Sequence, residues 1–305
     1  MSTKSFWTSI VPLVTIAAVV APAHAAGKRP LSFREKLQPM TRPGRADDTP
    51  TAVERIRRNT PTAFLGSGEI PQSQVELLAK DTYEKSKGYR FNKIIRGNLN
   101  RKEIALTFDD GPHAVYTLKL LKILKQLHTP ATFFVVGKQV EKFPTLVQLE
   151  VIEGHEVGDH TYDHVNLTEL TPDLVEYEMD RCDRAIKNVT GSSVRFIRPP
   201  GGDYNQTVLS AASRRGYVTA LWTDDPGDWA RIPSDVILQR SLDRLENGAI
   251  LLLHDGIPET LDILPQLINE ARARGYKFVT LSQLAMDRDK KDIEPIGAGR
   301  ILKKY

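Results

Sequence analysis

The sequence predicts an α/β fold: a distorted or incomplete (β/α) barrel of about seven strands, with a basic N-terminal extension. Three observations lead there. From about residue 90 onward, short apolar runs alternate with segments of helical periodicity, the pattern of a parallel sheet with helical crossovers. About seven such units occupy roughly 185 residues, which suits a small or incomplete barrel and leaves a doubly wound sheet as the alternative. Finally, five strands end at their carboxyl side in charged or imidazole groups, where a β/α barrel builds its site.

The elements follow in order. Residues 1–25 read as a secretory signal: Lys4, the apolar run "IVPLVTIAAVVA", then Ala23-His24-Ala25 as a small-x-small cleavage site. The run is about 12 residues, short of the roughly 20 that span a bilayer, and no later segment is long and apolar enough to do so. The mature chain is therefore expected to be exported, to the periplasm or cell envelope or beyond. Residues 26–89 form the extension, loosely organised and rich in Pro, Arg and Thr up to about residue 70. Ser73 and Glu76 then form a capping box that opens a helix over about 74–87, and Gly88 stops it. "RFNKIIRG", "NLN" and "KEIALTF" read as two strands around a turn.

A helix follows at 115–127, then the strand "ATFFVVG", a helix over 138–153 and the short strand "HEVG". Thr171 and Pro172 start a helix that runs to about Asn188. "VRFI", "VTALWT", "AILLL" and "KFVTL" are strands, separated by helices at 206–215, 234–246 and 258–274. Residues 286–305 read as a polar tail, so the main domain is expected to span 90–285.

Composition sets limits. The chain has 305 residues, 40% hydrophobic and 26% charged, an ordinary globular balance with length for one large core. Its one cysteine, Cys182, lies on the helical stripe Val175, Met179, Cys182, Ile186 and Val189, and reads as a small core hydrophobe; no internal disulfide is possible. Residues 26–102 carry 17 Lys+Arg against 8 Asp+Glu, whereas residues 103–305 carry 24 against 30. A basic extension thus precedes a mildly acidic body. It is either a solvated linker or a surface attracted to anionic wall polymers.

The polar strand ends carry the chemistry. "IALTF" ends in Asp109-Asp110, "HEVG" in "DHTYDH", "VRFI" in "RPPGG", "TALWT" in "DDPGDW" and "AILLL" in "HD". His160 and His164 are four apart, so a helical turn or tight loop lets both face one ion. Thr161 follows the first histidine where a zincin needs glutamate, which excludes that mechanism. A carboxylate would complete a His₂-carboxylate site with an open position, and Asp110 is the candidate. Asp224 and Asp225 read as turn caps, Asp163 and Asp255 as structural groups, His155 as packed and His128 as a helix-end residue. His113 reads equally as a substrate contact or a solvated loop residue.

In order and spacing, "TFDDGP", "HTYDH", "RPPGG", "DPGDW" and "ILLLH" resemble the five motifs of the NodB-homology polysaccharide deacetylases, carbohydrate esterase family four. The resemblance covers roughly residues 90–285. It implies a NodB-type barrel and a metal-dependent hydrolase that removes N-acetyl groups from N-acetylglucosamine polymers. It implies roles as well: Asp109 as general base; Asp110, His160 and His164 as ligands of a divalent metal, zinc foremost; Arg198 as the group that orients the base. Asp228 would tune the acid His254, Trp229 would line the acetyl pocket, and Leu252 lies beside His254 on the same strand face. The third motif often has Tyr where this chain has Gly201. The backbone N–H that helps hold the oxyanion is kept, and a ring that contacts substrate is lost. An exported bacterial chain makes peptidoglycan the first expected substrate, chitin-type oligosaccharides the second and acetylated xylan the third, with no nucleic-acid partner. The reading from another class is a catalytically inactive carbohydrate-binding module, which would lack a ligand, the base or the acid.

Overall fold

A computed structural model of the chain describes residues 71–286. The signal segment, residues 26–70 of the extension and the tail after Met286 lie outside the described residues. Helix α1 (Gln74–Ser86) is followed by β1 (Lys93–Ile94), β2 (Glu103–Gly111), α2 (Tyr116–Gln126), β3 (Thr132–Val135), α3 (Gly137–Lys142), α4 (Pro144–Ile152) and β4 (Glu156–Asp159). Then come α5 (Pro172–Thr190), β5 (Phe196–Ile197), α6 (Gln206–Arg214), β6 (Val218–Ala220), α7 (Ser234–Asp243), β7 (Ala249–His254), α8 (Pro258–Ala273), β8 (Lys277–Phe278) and α9 (Leu281–Met286).

All pairings are parallel, in the order β1-β6-β5-β4-β3-β2-β7, with β8 against the start of β2. From β2 to β6 each strand pairs with its successor, so the sheet curls one way rather than reversing, which sets the doubly wound alternative aside. The two ends nearly meet. Beyond β6, Asp224 bridges Leu251, and Leu252 N–H donates to the Asp224 carbonyl at 2.9 Å. The result is a distorted barrel of seven strands in one path, as the alternation predicts.

Period-2 alternation divides the strands between two cores. Ala105, Phe134, Ile197, Ala220, Trp222, Ile250 and Leu252 pack inside the curl. Ile104, Leu106, Phe108, Phe133 and Leu251 pack outside, beneath the helices. Residues 105, 107 and 109 of β2 therefore share the inner face, as do 250, 252 and 254 of β7. Cys182 is buried in the outer core, as its helical stripe requires.

The structure differs from these expectations at four places. The first two strands do not pair with each other: β1 joins β6, with Lys93 opposite Thr219 and Ile94 opposite Ala220. The helix expected over 138–153 is two, because Pro144 disfavours helical geometry in the residue before it and Phe143 sits at φ −131°, ψ 56°. Thr171 occupies the N-cap of α5, but its side chain makes no capping hydrogen bond. "KFVTL" is strand only at Lys277–Phe278, and its end leads into α9. The capping box of α1 is complete: Ser73 accepts from Glu76 N–H, and Glu76 accepts from Ser73 N–H at 2.8 Å. Among the described residues no helix is long and apolar enough to cross a membrane.

Candidate active site

Strand β2 lies between β3 and β7, and its pairing with β7 sets Asp109 opposite His254. Beyond Phe108 its register against β3 shifts, so that Gly111 pairs with Val135. Asp110 sits at this irregularity with φ 72°, a left-handed geometry uncommon for a residue with a Cβ. The shift separates the two carboxylates. Asp109 lies on the inner face, 3% exposed, while Asp110 turns toward the histidine loop. Gly111 has no room for a side chain: a Cβ there would stand 2.8 Å from Asp255 Oδ2.

Asp109 is held by an arginine with no freedom to move. Arg198 is fully buried, and its Nη1 donates to Asp109 Oδ1 at 2.7 Å and to Thr107 Oγ1 at 2.8 Å. Its Nε and Nη2 donate to the carbonyls of Ala220 and Leu221, and the guanidinium lies over the Phe134 ring at 4.2 Å. A buried ion pair is tolerable only when the other donors find partners, and here each guanidinium nitrogen has an acceptor.

Asp110 Oδ1 lies 3.4 Å from His160 Nε2 and 3.0 Å from His164 Nε2. One ligand atom from each of the three residues falls within 4.8 Å of the others. The donor set fits a divalent cation on two further grounds. Asp110 Oδ1 is buried without a hydrogen-bond partner. His160 Nδ1 is spent on the Arg198 carbonyl at 2.7 Å, which fixes the tautomer that presents Nε2. Burial opposes the Asp110 charge, yet His164 and His160 hold its carboxyl well below the usual carboxylate range.

The two histidines stand on a tight loop rather than a helix, with φ 65° at Thr161 and 54° at His164. Buried carboxylates hold that loop. Asp159 Oδ1 accepts from Thr161 N–H at 2.7 Å, and Glu178 Oε2 accepts from the N–H groups of Tyr162 and Asp163 at 3.0 and 2.8 Å. Lys138 pairs with Asp163 at 2.7 Å, so Asp163 is structural, as its sequence setting suggests.

At the end of β7, His254 Nδ1 and N–H both reach Asp228, at 2.8 and 2.7 Å. Asp228 is fully buried and also accepts from Thr260 Oγ1 at 2.6 Å and Trp229 N–H at 2.9 Å. Burial works against a charged His254, but Asp228, then Asp110 and Asp109, push its pKa up to about 10. Trp229 is half-buried, its indole N–H shared between the two Asp225 carboxylate oxygens at 3.1 and 3.2 Å. Leu252 is 1% exposed on the inner face, two residues before His254. Gly201 is half-buried in the loop after β5, with φ 63°. Asp255 is buried against Thr117 Oγ1, and His155 is packed with its Nδ1 facing Ala131 N–H at 3.2 Å.

The residues singled out from sequence therefore meet at one end of the barrel. Sequence reasoning missed Thr107, Thr260 and Glu178, and gave Asp159 no role of its own. Thr107 had a signal, since it shares the strand face of Asp109 two residues on. Thr260 and Glu178 act from helices whose partners are 32 and 15 or 16 residues away, and nothing local marks them.

A family model described as polysaccharide deacetylase matches residues 96–220. A peptidoglycan-N-acetylglucosamine deacetylase of Bacillus cereus is 32% identical over 227 residues, which is 70% of this chain and 81% of that protein. Among solved structures, a peptidoglycan N-acetylglucosamine deacetylase in complex with an N-hydroxybenzamide aligns with TM-score 0.64 and 30% identity, over 68% of this chain and 99% of that one. A carbohydrate esterase family four pseudoenzyme from Bacillus anthracis aligns with TM-score 0.63 and 31% identity, over 67% of this chain and 72% of that one. An enzyme and a pseudoenzyme thus share this fold to the same degree, so side chains rather than backbone decide activity.

Proposed function

This chain belongs to the polysaccharide deacetylases of carbohydrate esterase family four, and on that premise we propose that it removes N-acetyl groups from N-acetylglucosamine residues of peptidoglycan. The observation that carries the reading is the arrangement of two opposed proton carriers beside a ligand cluster. Asp109, paired with Arg198, and His254, paired with Asp228, stand opposite each other on β2 and β7, with Asp110, His160 and His164 alongside. A pseudoenzyme would be expected to lack one of these parts.

Asp110, His160 and His164 would hold the divalent metal of the family, which we propose is zinc. Such an ion supplies Lewis acidity and lowers the pKa of a water toward about 7. Asp109 accepts the proton of the attacking water. Arg198 pairs with Asp109 at 2.7 Å and aims its carboxylate. The Gly201 N–H donates to the oxyanion, and one such donor is typically worth roughly 3 kcal/mol. His254 enters as imidazolium, held in that form by Asp228, and gives its proton to the departing sugar nitrogen. Trp229 and Leu252 line the pocket for the acetyl methyl. The products are acetate and a glucosamine unit.

We further propose export through residues 1–25, and attraction of the basic segment 26–70 to anionic wall polymers, both resting on sequence alone. The deciding experiment measures acetate released from peptidoglycan, chitin oligomers and acetylated xylan, with zinc supplied and with Asp109→Asn as control. Release from peptidoglycan first, abolished by the substitution, is expected. Faster release from chitin oligomers or xylan would replace the substrate, and no zinc-dependent release from any of the three would overturn the enzyme reading.

A further inference from the structure

The Gly201 loop has an unusual support. A glycine with φ 63° carries no side chain to anchor it, followed by Gly202 at φ 72°. An oxyanion donor must nevertheless stay within about 3 Å of one position. A displacement of 1 Å costs up to roughly 100-fold in rate. At its near end the loop is tied to the ligand cluster, since the Arg198 carbonyl faces His160 Nδ1 at 2.7 Å. Its far end is held from outside the domain expected from sequence.

The holding residue is Gln72, just before α1. Its side-chain Nε2 donates to Asp203 Oδ1 at 2.6 Å, and its N–H donates to the Gly201 carbonyl at 3.3 Å. Its own carbonyl accepts from Trp222 Nε1 at 3.1 Å. The other oxygen of Asp203, Oδ2, accepts from Asn166 Nδ2 at 3.2 Å. Asn166 lies two residues after His164, and its amide is oriented because its oxygen accepts from Thr168 N–H at 2.9 Å. Asp203 thus joins three chain segments: the stretch before α1, the histidine loop and the Gly201 loop. Trp222 closes the arrangement from below, with its ring where a Cβ on Gly202 would come within 2.6 Å. Helix α1 is in turn fixed to the same loop. Lys80 Nζ donates to the Tyr204 carbonyl at 2.6 Å, and the buried Lys93 joins Tyr204 Oη at 3.2 Å to Asp81 at 3.0 Å and to Glu84.

We propose that Gln72 and Asp203 are positioning residues for the Gly201 N–H, and that the catalytic unit begins by residue 72 rather than at 90. The proposal rests on the deacetylase reading for its kinetic consequence, but the tie itself is a structural claim that can be tested apart from it.

The test uses the full chain loaded with zinc. Gln72→Ala removes the side-chain bond to Asp203, and kcat should fall about 5- to 20-fold while KM and zinc affinity stay within about 2-fold. Gln72→Glu sets two carboxylates against each other and should be worse at neutral pH. Gln72→Glu combined with Asp203→Asn reverses the bond: the amide nitrogen then donates to the carboxylate, and its oxygen still accepts from Asn166. That double variant should recover most of the lost kcat, a rescue that general destabilisation does not give. Hydrogen exchange at residues 201–204 is measured in parallel and should speed up in both single variants and slow again in the double. Single variants with wild-type kcat and wild-type exchange would overturn the proposal, as would a double variant no better than Gln72→Glu. If the wild type proves inactive on every acetylated glycan, the deacetylase reading fails, and exchange alone still decides the tie.

Discussion

Asp109 and Asp110 are neighbours in sequence with different surroundings. Asp109 sits in the regular part of β2 and meets a buried guanidinium; Asp110 sits at the register shift with positive φ and meets two imidazoles. Neither substitution by asparagine is conservative. Asp109→Asn should lower turnover by roughly 10²- to 10⁴-fold and leave zinc binding intact, because the base is lost and no ligand is. Asp110→Asn should weaken zinc binding first, read by titrating the metal-free protein. His254 gives a third test. Its pKa is raised to about 10, and Asp228 is the chief group raising it against burial. In Asp228→Asn burial prevails, the imidazole loses its proton at lower pH, and the alkaline limb of the kcat–pH profile should move down by a unit or more. A limb that stays in place would remove His254 from the role of acid.

At the scale of elements, the β2–β7 register sets Asp109 against His254, and the loops after β4 and β5 bring in His160, His164 and Gly201. This much was legible in the sequence, because polar residues at the ends of apolar strands are placed by strand geometry alone. What was not legible depends on partners far along the chain. The pairing of β1 with β6 brings Lys93 opposite Thr219, and no local pattern announces it. Gln72 finds Asp203 131 residues away. The helix break at Phe143 could have been read from Pro144, since the residue before proline resists helical geometry. Lys93 shows what the hidden part is worth. Its side chain is 5% exposed, and burial works against its charge, but Glu84, Tyr204 and Asp81 outweigh burial and raise its pKa. Lys93→Met would take its cation from Glu84 and leave Asp81 paired only with the exposed Lys85, at 2.9 Å. Breaking a buried pair in this way costs about 3 kcal/mol, so urea unfolding of the full chain should show a drop of that order. An unchanged midpoint would mean that α1 is not held through this lysine.

For the molecule as a whole, burial of titratable groups makes stability depend on pH, and the sign follows from the direction of each shift. Burial raises the carboxyls of Asp224 and Asp255 to about 7, and those of Glu150 and Asp159 well above their ordinary values. Asp110 is shifted the other way, so its contribution is complete above about pH 4 and constant through the neutral range. The raised carboxyls contribute stability that is present below about pH 4 and lost as pH rises through about 7 and beyond, and His254 adds to that loss over the same interval. Its proton is held to about pH 10 in the folded chain but released near 6.5 in the unfolded one. The stability it contributes is therefore fully present below 6.5 and lost progressively as pH rises toward 10. The metal-free protein should melt at a lower temperature at pH 9 than at pH 6.5, by on the order of 5 °C for a domain of this size. Calorimetry in excess chelator measures it, with His254→Gln as the reference. The substitution removes the group whose protonation differs between the two states, so the slope between pH 6.5 and 9 should flatten. An equal slope in wild type and variant would place the pH dependence elsewhere, and would separate the strength of the His254–Asp228 pair from its role in turnover.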